Sequence, residues 1–270
     1  MSSLTSWYFA FALVVAVAAA ARGIWSPCGL SMISAINPIS ERSRGNRYWL
    51  TATWFIAGAV VGGATLGGLA AVGALLWSPL VGFGTLTAGV AVLCCLTALV
   101  SDGSMFSFRL PGHPRQVNEQ WLGRYRRWVY AAGFGWQIGT GFATYIMTAA
   151  VYLTVALAVF TGSPMLALLV GLVFGLVRGS AVLLSSRVRR PAELRMLHER
   201  LDRLAPWSLV VAMFSEAFAA VAFGYFAFGW LGAVVIAVAI VGCAMVNGSR
   251  PTRGRDRAGS VAPAALTNAP

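Results

Sequence analysis

The chain has 270 residues, of which 58% are apolar and 10% charged, and its mean hydropathy is +0.74. These values exclude an ordinary soluble domain and predict an all-α, polytopic membrane protein. The formal net charge of +12 comes from arginine alone, since the sequence contains no lysine. Because those arginines are confined to a few short segments, we interpret the charge as a signal of membrane orientation and expect no nucleic-acid partner.

Seven apolar stretches are long enough to cross a bilayer as helices, for which about 20 residues suffice. They are Trp7 to Ile36, Tyr48 to Trp77, Leu80 to Val100, Trp128 to Phe160, Met165 to Leu184, Ser208 to Phe226 and Leu231 to Val246. The last two come from one nearly unbroken apolar run, which as a single helix would be about twice as long as the hydrocarbon layer is thick. The sequence FGWLG at 228–232 predicts a turn within that run.

The arginines predict how these spans are oriented. Eighteen of the twenty fall in segments 42–47, 109–127, 187–203 and 250–257, whereas the intervening loops WSPL, TGSP and FGWLG carry no charge. With seven spans, every basic segment lies on one side of the membrane, which is the positive-inside pattern. We therefore expect a multi-pass protein of the cytoplasmic (inner) membrane, with its N-terminus outside and its C-terminus cytoplasmic.

The first stretch is interrupted by RGIWSPCGLSMISAINP, residues 22–38. Pro27 removes a backbone donor and clashes with the preceding turn, so a break in the helix is expected there. The apolar pattern continues past Arg22 to Ile36 and no basic residue precedes it, so we expect a membrane span rather than a cleaved signal peptide.

Two further segments near the C-terminus have sequence patterns that predict local structure. In PAELRMLHERLDRLAP, residues 191–206, leucines recur at helical spacing, which predicts a short amphipathic helix on the inner membrane surface. Residues 248–270 are rich in Arg, Gly, Pro, Ala and Ser and are predicted to form a disordered cytoplasmic tail. Residues 1–247 then form the transmembrane domain.

Two sets of three spans can be laid side by side within that domain: repeat one at about 7–100 and repeat two at about 128–226, followed by an extra helix at 231–246. Each repeat opens with an interrupted helix, IWSPCGLS in the first and GFGWQIGTGF at 133–142 in the second. An odd number of spans inverts the second copy. Paired broken helices in inverted repeats point to a central binding site.

Each repeat also contains a helix with small residues four apart. They are Gly58, Gly62, Gly63 and Gly67 in the second span, and Gly171, Gly175 and Gly179 in the fifth. Glycines at this spacing let helix backbones approach closely in lipid, so tight packing is the alternative to a functional role for them.

The two breaks resemble motifs of the CcdA/DsbD family of transmembrane thiol-disulfide carriers, which is grouped with the LysE-type exporters. SPCGLSMIS is similar to the family pattern SPC-V-L-P-L-x-P, with Pro27 and Cys28 matching and Gly29 and Ser31 departing. The resemblance implies inverted three-helix repeats and a cysteine pair that moves reducing equivalents across the membrane.

The second break is similar to the pattern G-W-x-P-C-x-G-P of the same family. Gly135, Trp136 and Gly141 match it, but Gly139 stands where the second cysteine is expected. Cys28 would therefore have to form its disulfide with Cys94, Cys95 or Cys243. The adjacent cysteines Cys94 and Cys95 lie on an apolar face, which is more typical of buried small hydrophobic residues than of a redox centre. We expect the scaffold to be kept and the electron-carrier chemistry to be lost or altered.

Three charged residues fall within the predicted spans, where an ionised side chain is costly: Arg22, Arg178 and Glu216. In one interpretation they have structural roles, as an Arg–Glu pair or with Arg178 snorkelling to the inner surface. In the other they line a polar cavity in which the arginines attract an anion and the carboxyl takes a proton or a cation. The candidate central cavity comprises Arg22, Pro27, Cys28, Ser31, Gly135, Gln137, Gly139, Thr140, Arg178 and Glu216. Neither a metal nor a cofactor is expected there.

Two functions remain open from the sequence. The first is a transporter of a small solute or of reducing equivalents, with its site where the broken helices meet. The second is a non-transporting membrane subunit or assembly factor that binds partner proteins through its glycine-rich helices and basic inner loops. Besides the lipid bilayer, the expected partners are a thioredoxin-like protein or the subunits of a membrane complex. The HExxH, GxSxG, CxxC and P-loop motifs of common enzymes are absent from the sequence, which places a membrane enzyme third.

Overall fold

The computed structural model describes residues 3–80, 84–104, 108, 110, 111 and 121–248. These residues form helices joined by turns and loops, with no β-strand among them. The helices are α1 (Ser3–Arg22), α2 (Pro27–Ala35), α3 (Pro38–Ser43), α4 (Tyr48–Trp77), α5 (Gly84–Asp102), α6 (Trp121–Arg124), α7 (Arg127–Thr140), α8 (Ala150–Phe160), α9 (Pro164–Ser180) and α10 (Pro191–Gly248). The tail predicted to be disordered, apart from Gly248, lies outside the described residues.

Five helical segments in the described part of the chain are long and apolar enough to cross a membrane. They are Leu4–Trp25, Tyr48–Trp77, Gly84–Asp102, Pro164–Ser185 and Pro191–Met245. These segments confirm the all-helical class and support a membrane protein. The count of seven spans, the inverted relation of the repeats and the orientation of the termini stay predictions.

The break expected in the first span lies between α1 and α2. A 3₁₀ turn, Gly23–Trp25, follows α1, and Ser26 then adopts an extended conformation with ψ of 151°. The Ser26 hydroxyl donates to the carbonyl of Gly23 at 2.7 Å and accepts from the amide of Gly29 at 3.1 Å. Pro27 occupies the first turn of α2, where its missing N–H costs nothing, so it begins a new helix instead of kinking an old one.

The fourth predicted span is divided between α7 and α8, which are separated by residues 141–149. Gly141 ends α7 with φ of 75°, a conformation that glycine adopts without a Cβ clash. The first predicted interruption is present in the backbone, but the second begins later than predicted: within 133–142, the residues through Thr140 are helical and α7 ends only at Gly141.

The last apolar run reverses direction within α10. Gly229 has non-helical angles, with φ of 69° and ψ of −159°, at the position where the sequence predicts a turn. The two halves fold back on each other, since a Cβ added at Gly232 would lie 2.7 Å from the carbonyl oxygen of Gly224. The segment predicted as a separate surface helix at 191–206 is helical, but it is continuous with the rest of α10. It contacts the first break, because the Trp25 indole donates to the carbonyl of Leu201 at 2.7 Å.

Helix α4 lies between α7 and α9 and touches both through backbone atoms. A methyl group at Gly58 would overlap the carbonyl oxygen of Ala132 in α7, and one at Gly63 would overlap that of Gly171 in α9. We call this double contact the glycine seam; it comprises Gly58, Gly62, Gly63, Gly67, Gly135, Gly139, Gly171 and Gly175. The close approach predicted from the glycine spacing is confirmed.

Alanine substitutions in α4 test how tightly the glycine seam is packed. Gly63→Ala should lower the stability of the folded protein by about 1–3 kcal/mol, because the added methyl group has no space beside α9. Gly68→Ala is the matched control: it lies in the same helix with nothing within 4 Å of its Cβ position, and should be neutral or slightly stabilising. Thermal unfolding of the purified protein in detergent measures both effects. Equal melting temperatures for the two variants would contradict the packing described here.

Candidate functional site

The first break faces α7 through an apolar cluster. Cys28 and Met32 of α2 pack in one group with Phe134 and Ile138 of α7, and Cys28 is 1% exposed. The structure therefore brings the two interrupted spans together through side chains.

The space enclosed at this junction is small. A cavity of about 20 Å³ is lined by Gly23, Gly29, Phe55, Ile138 and Arg178, together with other apolar residues. This is room for about one water molecule.

Six other residues predicted for the central cavity do not line this space. Gly135 and Gly139 belong to the glycine seam and contact Phe55 and Ala59 of α4. Thr140 donates its hydroxyl to the carbonyl of Trp136 at 2.7 Å. The remaining three residues have partly or fully exposed surfaces: Pro27, Ser31 and Gln137.

Arg178 is buried at the junction, with 4% of its surface exposed. A Cβ at Gly23 would overlap its Nη1 atom, so the guanidinium fills the space that this glycine leaves beside the break. The Arg178 guanidinium carbon also lies 6.0 Å from the centroid of the Phe174 ring, within range of a cation–π interaction. Gly23 was not predicted from the sequence, because its role depends on Arg178, which lies 155 positions further along the chain.

Arg22 ends α1 and points toward α10. Its Nη1 donates to the carbonyl of Ala205 at 3.0 Å and to the hydroxyl of Ser208 at 2.7 Å. Its side chain lines a second and larger cavity of about 470 Å³, which it shares with Asp102 and Tyr145.

Asp102, at the end of α5, lies on the wall of the larger cavity and was not among the residues predicted for a site. Its carboxylate accepts hydrogen bonds from the Thr148 hydroxyl and, at 2.6 Å, from the backbone amide of Ala149. These bonds join the end of α5 to the start of α8, directly after the second break. The opposite charges of Arg22 and Asp102 also attract each other across the larger cavity.

Glu216 lies in α10 with none of its surface exposed. Neither carboxylate oxygen has a hydrogen-bond partner among the described residues, and neither Arg22 nor Arg178 forms an ion pair with it there. Its electrostatic neighbours are Asp102 and Cys95. All three predicted charges are thus buried, but they do not converge on one cavity: Arg178 lines the small cavity, Arg22 lines the larger one, and Glu216 lines neither.

A second buried carboxylate, Glu41, lies in α3 and was also missed. Glu41 is fully buried and accepts hydrogen bonds from the Thr51 hydroxyl at 2.6 Å and from the Tyr130 hydroxyl at 2.9 Å. It also pairs with Arg44 at 2.9 Å. This network holds α3 against α4 and α7, inside a segment that the sequence analysis treated only as a basic loop.

The described helices define a helical membrane protein with buried charged residues. No protein family matches the chain, and no solved structure does. Three curated proteins are similar, each named methylamine utilization protein MauF.

The MauF protein of Paracoccus versutus is 31% identical over 159 residues, which cover 56% of this chain and 57% of the relative. That of Methylobacillus flagellatus is 31% identical over 182 residues, which cover 65% of this chain and 62% of the relative. That of Paracoccus denitrificans is 32% identical over 169 residues, with 61% of each covered. The chain thus spans about three fifths of the length of the relatives it matches. Their names do not bear on the resemblance to the CcdA/DsbD family, which stays a hypothesis.

Removing the Asp102 carboxylate tests its structural role. Asp102→Ala deprives Thr148 and Ala149 of their acceptor and leaves Arg22 without the nearby negative charge, so we expect a loss of about 2 kcal/mol or more in unfolding free energy. Asp202→Ala, at an exposed position of α10, is the control and should change little. Unfolding in detergent gives both values.

A double variant separates this interaction from a general loss of stability. Thr148→Val removes the hydroxyl donor, so the effects of Asp102→Ala and Thr148→Val should be less than additive when they are combined. Strict additivity would show that the two side chains do not interact.

Proposed function

We propose that this chain is a membrane accessory protein of methylamine utilisation that acts by binding a partner protein within the membrane. The similarity to the three MauF proteins supports the link to methylamine utilisation. The main structural support for an accessory role is that the junction between the interrupted spans is closed.

A transporter must open a path for its solute at the site where its broken helices meet. Here α4 contacts α7 and α9 through backbone atoms, and the junction encloses only about 20 Å³. A solute larger than water does not fit without separating helices that touch along several turns. The closed junction therefore favours a non-transporting protein over the transporter expected first from the sequence.

The surface that meets the partner differs from the one that the sequence suggested. The glycines expected to bind partner proteins form the glycine seam inside this chain. By contrast, only 17% of the apolar window of α10 is buried against the rest of the chain, compared with 39–50% in the other candidate spans. Its exposed face carries large aromatic side chains, which are enriched at protein interfaces: Trp207, Phe214, Phe218, Phe228 and Trp230. We assign partner binding to this face of α10, beside the basic inner segments.

A second candidate function is uptake of a small polar solute through the larger cavity. It is favoured by the volume of about 470 Å³ and by the presence of both Arg22 and Asp102, with opposite charges, on its wall. Transport of reducing equivalents has less support, because Cys28 belongs to a different apolar cluster from Cys95 and Cys94. A disulfide requires Cα atoms no more than about 7 Å apart.

Photo-crosslinking in the native host tests the accessory role. A photoreactive phenylalanine analogue at Phe214, which is 70% exposed on α10, should give a discrete crosslink to one protein in cells grown on methylamine. The same analogue at Leu69, which is 67% exposed on α4, is the matched control and should crosslink only to lipid. Deletion of the gene should abolish growth on methylamine while leaving growth on other substrates intact.

Uptake measurements distinguish the second candidate function. Proteoliposomes that contain only the purified chain should accumulate no more labelled methylamine than empty liposomes. Uptake that disappears in Asp102→Asn, together with lipid-only crosslinks at Phe214, would overturn the accessory role and establish transport.

A further inference from the structure

We propose that a basic groove at the start of α4 binds the phosphate headgroup of an anionic phospholipid. The groove has a volume of about 670 Å³ and is lined by Arg42, Asn46, Arg47, Trp49 and Arg189, among others. It lies apart from both cavities described above, and the proposal does not depend on the proposed function.

The three arginines of the groove come from two separate parts of the chain. Arg42 lies in α3, Arg47 immediately precedes α4, and Arg189 lies between the 3₁₀ turn at Ala181–Ser185 and α10. All three side chains are exposed. Among the described residues, the ion pairs are Arg44 with Glu41 and Arg203 with Glu199, so none of the three groove arginines is neutralised by a carboxylate.

The two acids nearest in sequence, Glu41 and Glu193, form no ion pair with the guanidinium groups of the groove. Glu41 is turned into the protein, where Thr51, Tyr130 and Arg44 occupy its carboxylate. Glu193 accepts hydrogen bonds from the backbone amide of Arg189 at 2.7 Å and from that of Arg190. The groove therefore presents uncompensated positive charge.

The walls of the groove are held in place without a ligand. The Tyr48 hydroxyl donates to the carbonyl of Val182 at 2.7 Å, and the Ser185 hydroxyl donates to the carbonyl of Ile36 at 2.9 Å. These bonds fasten the start of α4 to the 3₁₀ turn, and the Glu41 network fastens α3 to α4. The arginines are thereby brought together from distant parts of the sequence.

The residues that line the groove favour a phospholipid as the ligand over free phosphate. Arginine guanidinium groups match phosphate oxygens with two parallel hydrogen bonds, and basic pockets between membrane helices bind anionic headgroups. Trp49 is 61% exposed beside Arg47, at the start of an apolar span where tryptophan is typical of the membrane interface. Pro38 and Ile39 add an apolar wall next to which an acyl chain can lie.

Native mass spectrometry of the purified full chain in detergent tests this groove. Phosphatidylglycerol should bind more tightly than phosphatidylcholine. The triple variant Arg42→Gln, Arg47→Gln and Arg189→Gln should weaken phosphatidylglycerol binding by about a hundredfold, since each arginine near a membrane surface contributes about fivefold. The single variant Arg189→Gln should show about a fivefold loss.

A second triple variant controls for net charge. Arg195→Gln, Arg200→Gln and Arg203→Gln remove the same charge from exposed positions of α10 and should leave phosphatidylglycerol binding within about threefold of the original protein. Equal losses in the two triple variants, or equal binding of the two lipids, would overturn the proposal. Displacement of the lipid by inorganic phosphate at the lipid's concentration would identify a site for free phosphate instead.

Discussion

The rest of the structure depends on the close contact of α4 with α7 and α9 along the glycine seam. Where Gly58 meets Ala132 and Gly63 meets Gly171, no side chain separates the helices. In lipid, helices gain little from hydrophobic association, so close van der Waals packing of this kind contributes much of the attraction between them. Once α4 is fixed between its neighbours, the two interrupted spans are held on either side of one small cavity.

The charged side chains in the protein interior have different hydrogen-bond partners. Arg22 donates to Ala205 and Ser208, Asp102 accepts from Thr148 and Ala149, and Glu41 is surrounded by hydroxyl donors and Arg44. Such hydrogen bonds reduce the cost of removing a charge from water. The bonds of Asp102 also join the end of α5 to the start of α8, and those of Glu41 join α3 to α4 and α7.

Features encoded by neighbouring residues could be predicted from the sequence. The break at Pro27, the reversal near Gly229 and the close packing of the α4 glycines all follow from local backbone preferences or from helical spacing. The second break was expected from Gly135 onward, but the structure continues the helix to Thr140. The contacts of Asp102 with Thr148, of Glu41 with Tyr130 and of Arg178 with Gly23 could not be predicted, because these partners lie 46, 89 and 155 positions away and no local pattern specifies such a pairing. A central cavity shared by Arg22, Arg178 and Glu216 was expected because all three are charges in apolar stretches. The three side chains lie apart in the structure because they extend from faces of their helices that point in different directions.

The central claim is that the junction between the interrupted spans is closed to solutes. Cys28 reports on it directly, since it lies in α2 beside this junction and is 1% exposed. In a variant whose other cysteines, Cys94, Cys95 and Cys243, are replaced by alanine, labelling of Cys28 by water-soluble maleimides can be measured from each side of membrane vesicles. The closed junction predicts no labelling from either side until the protein is denatured, whereas rapid labelling that methylamine slows would contradict it and show an open path.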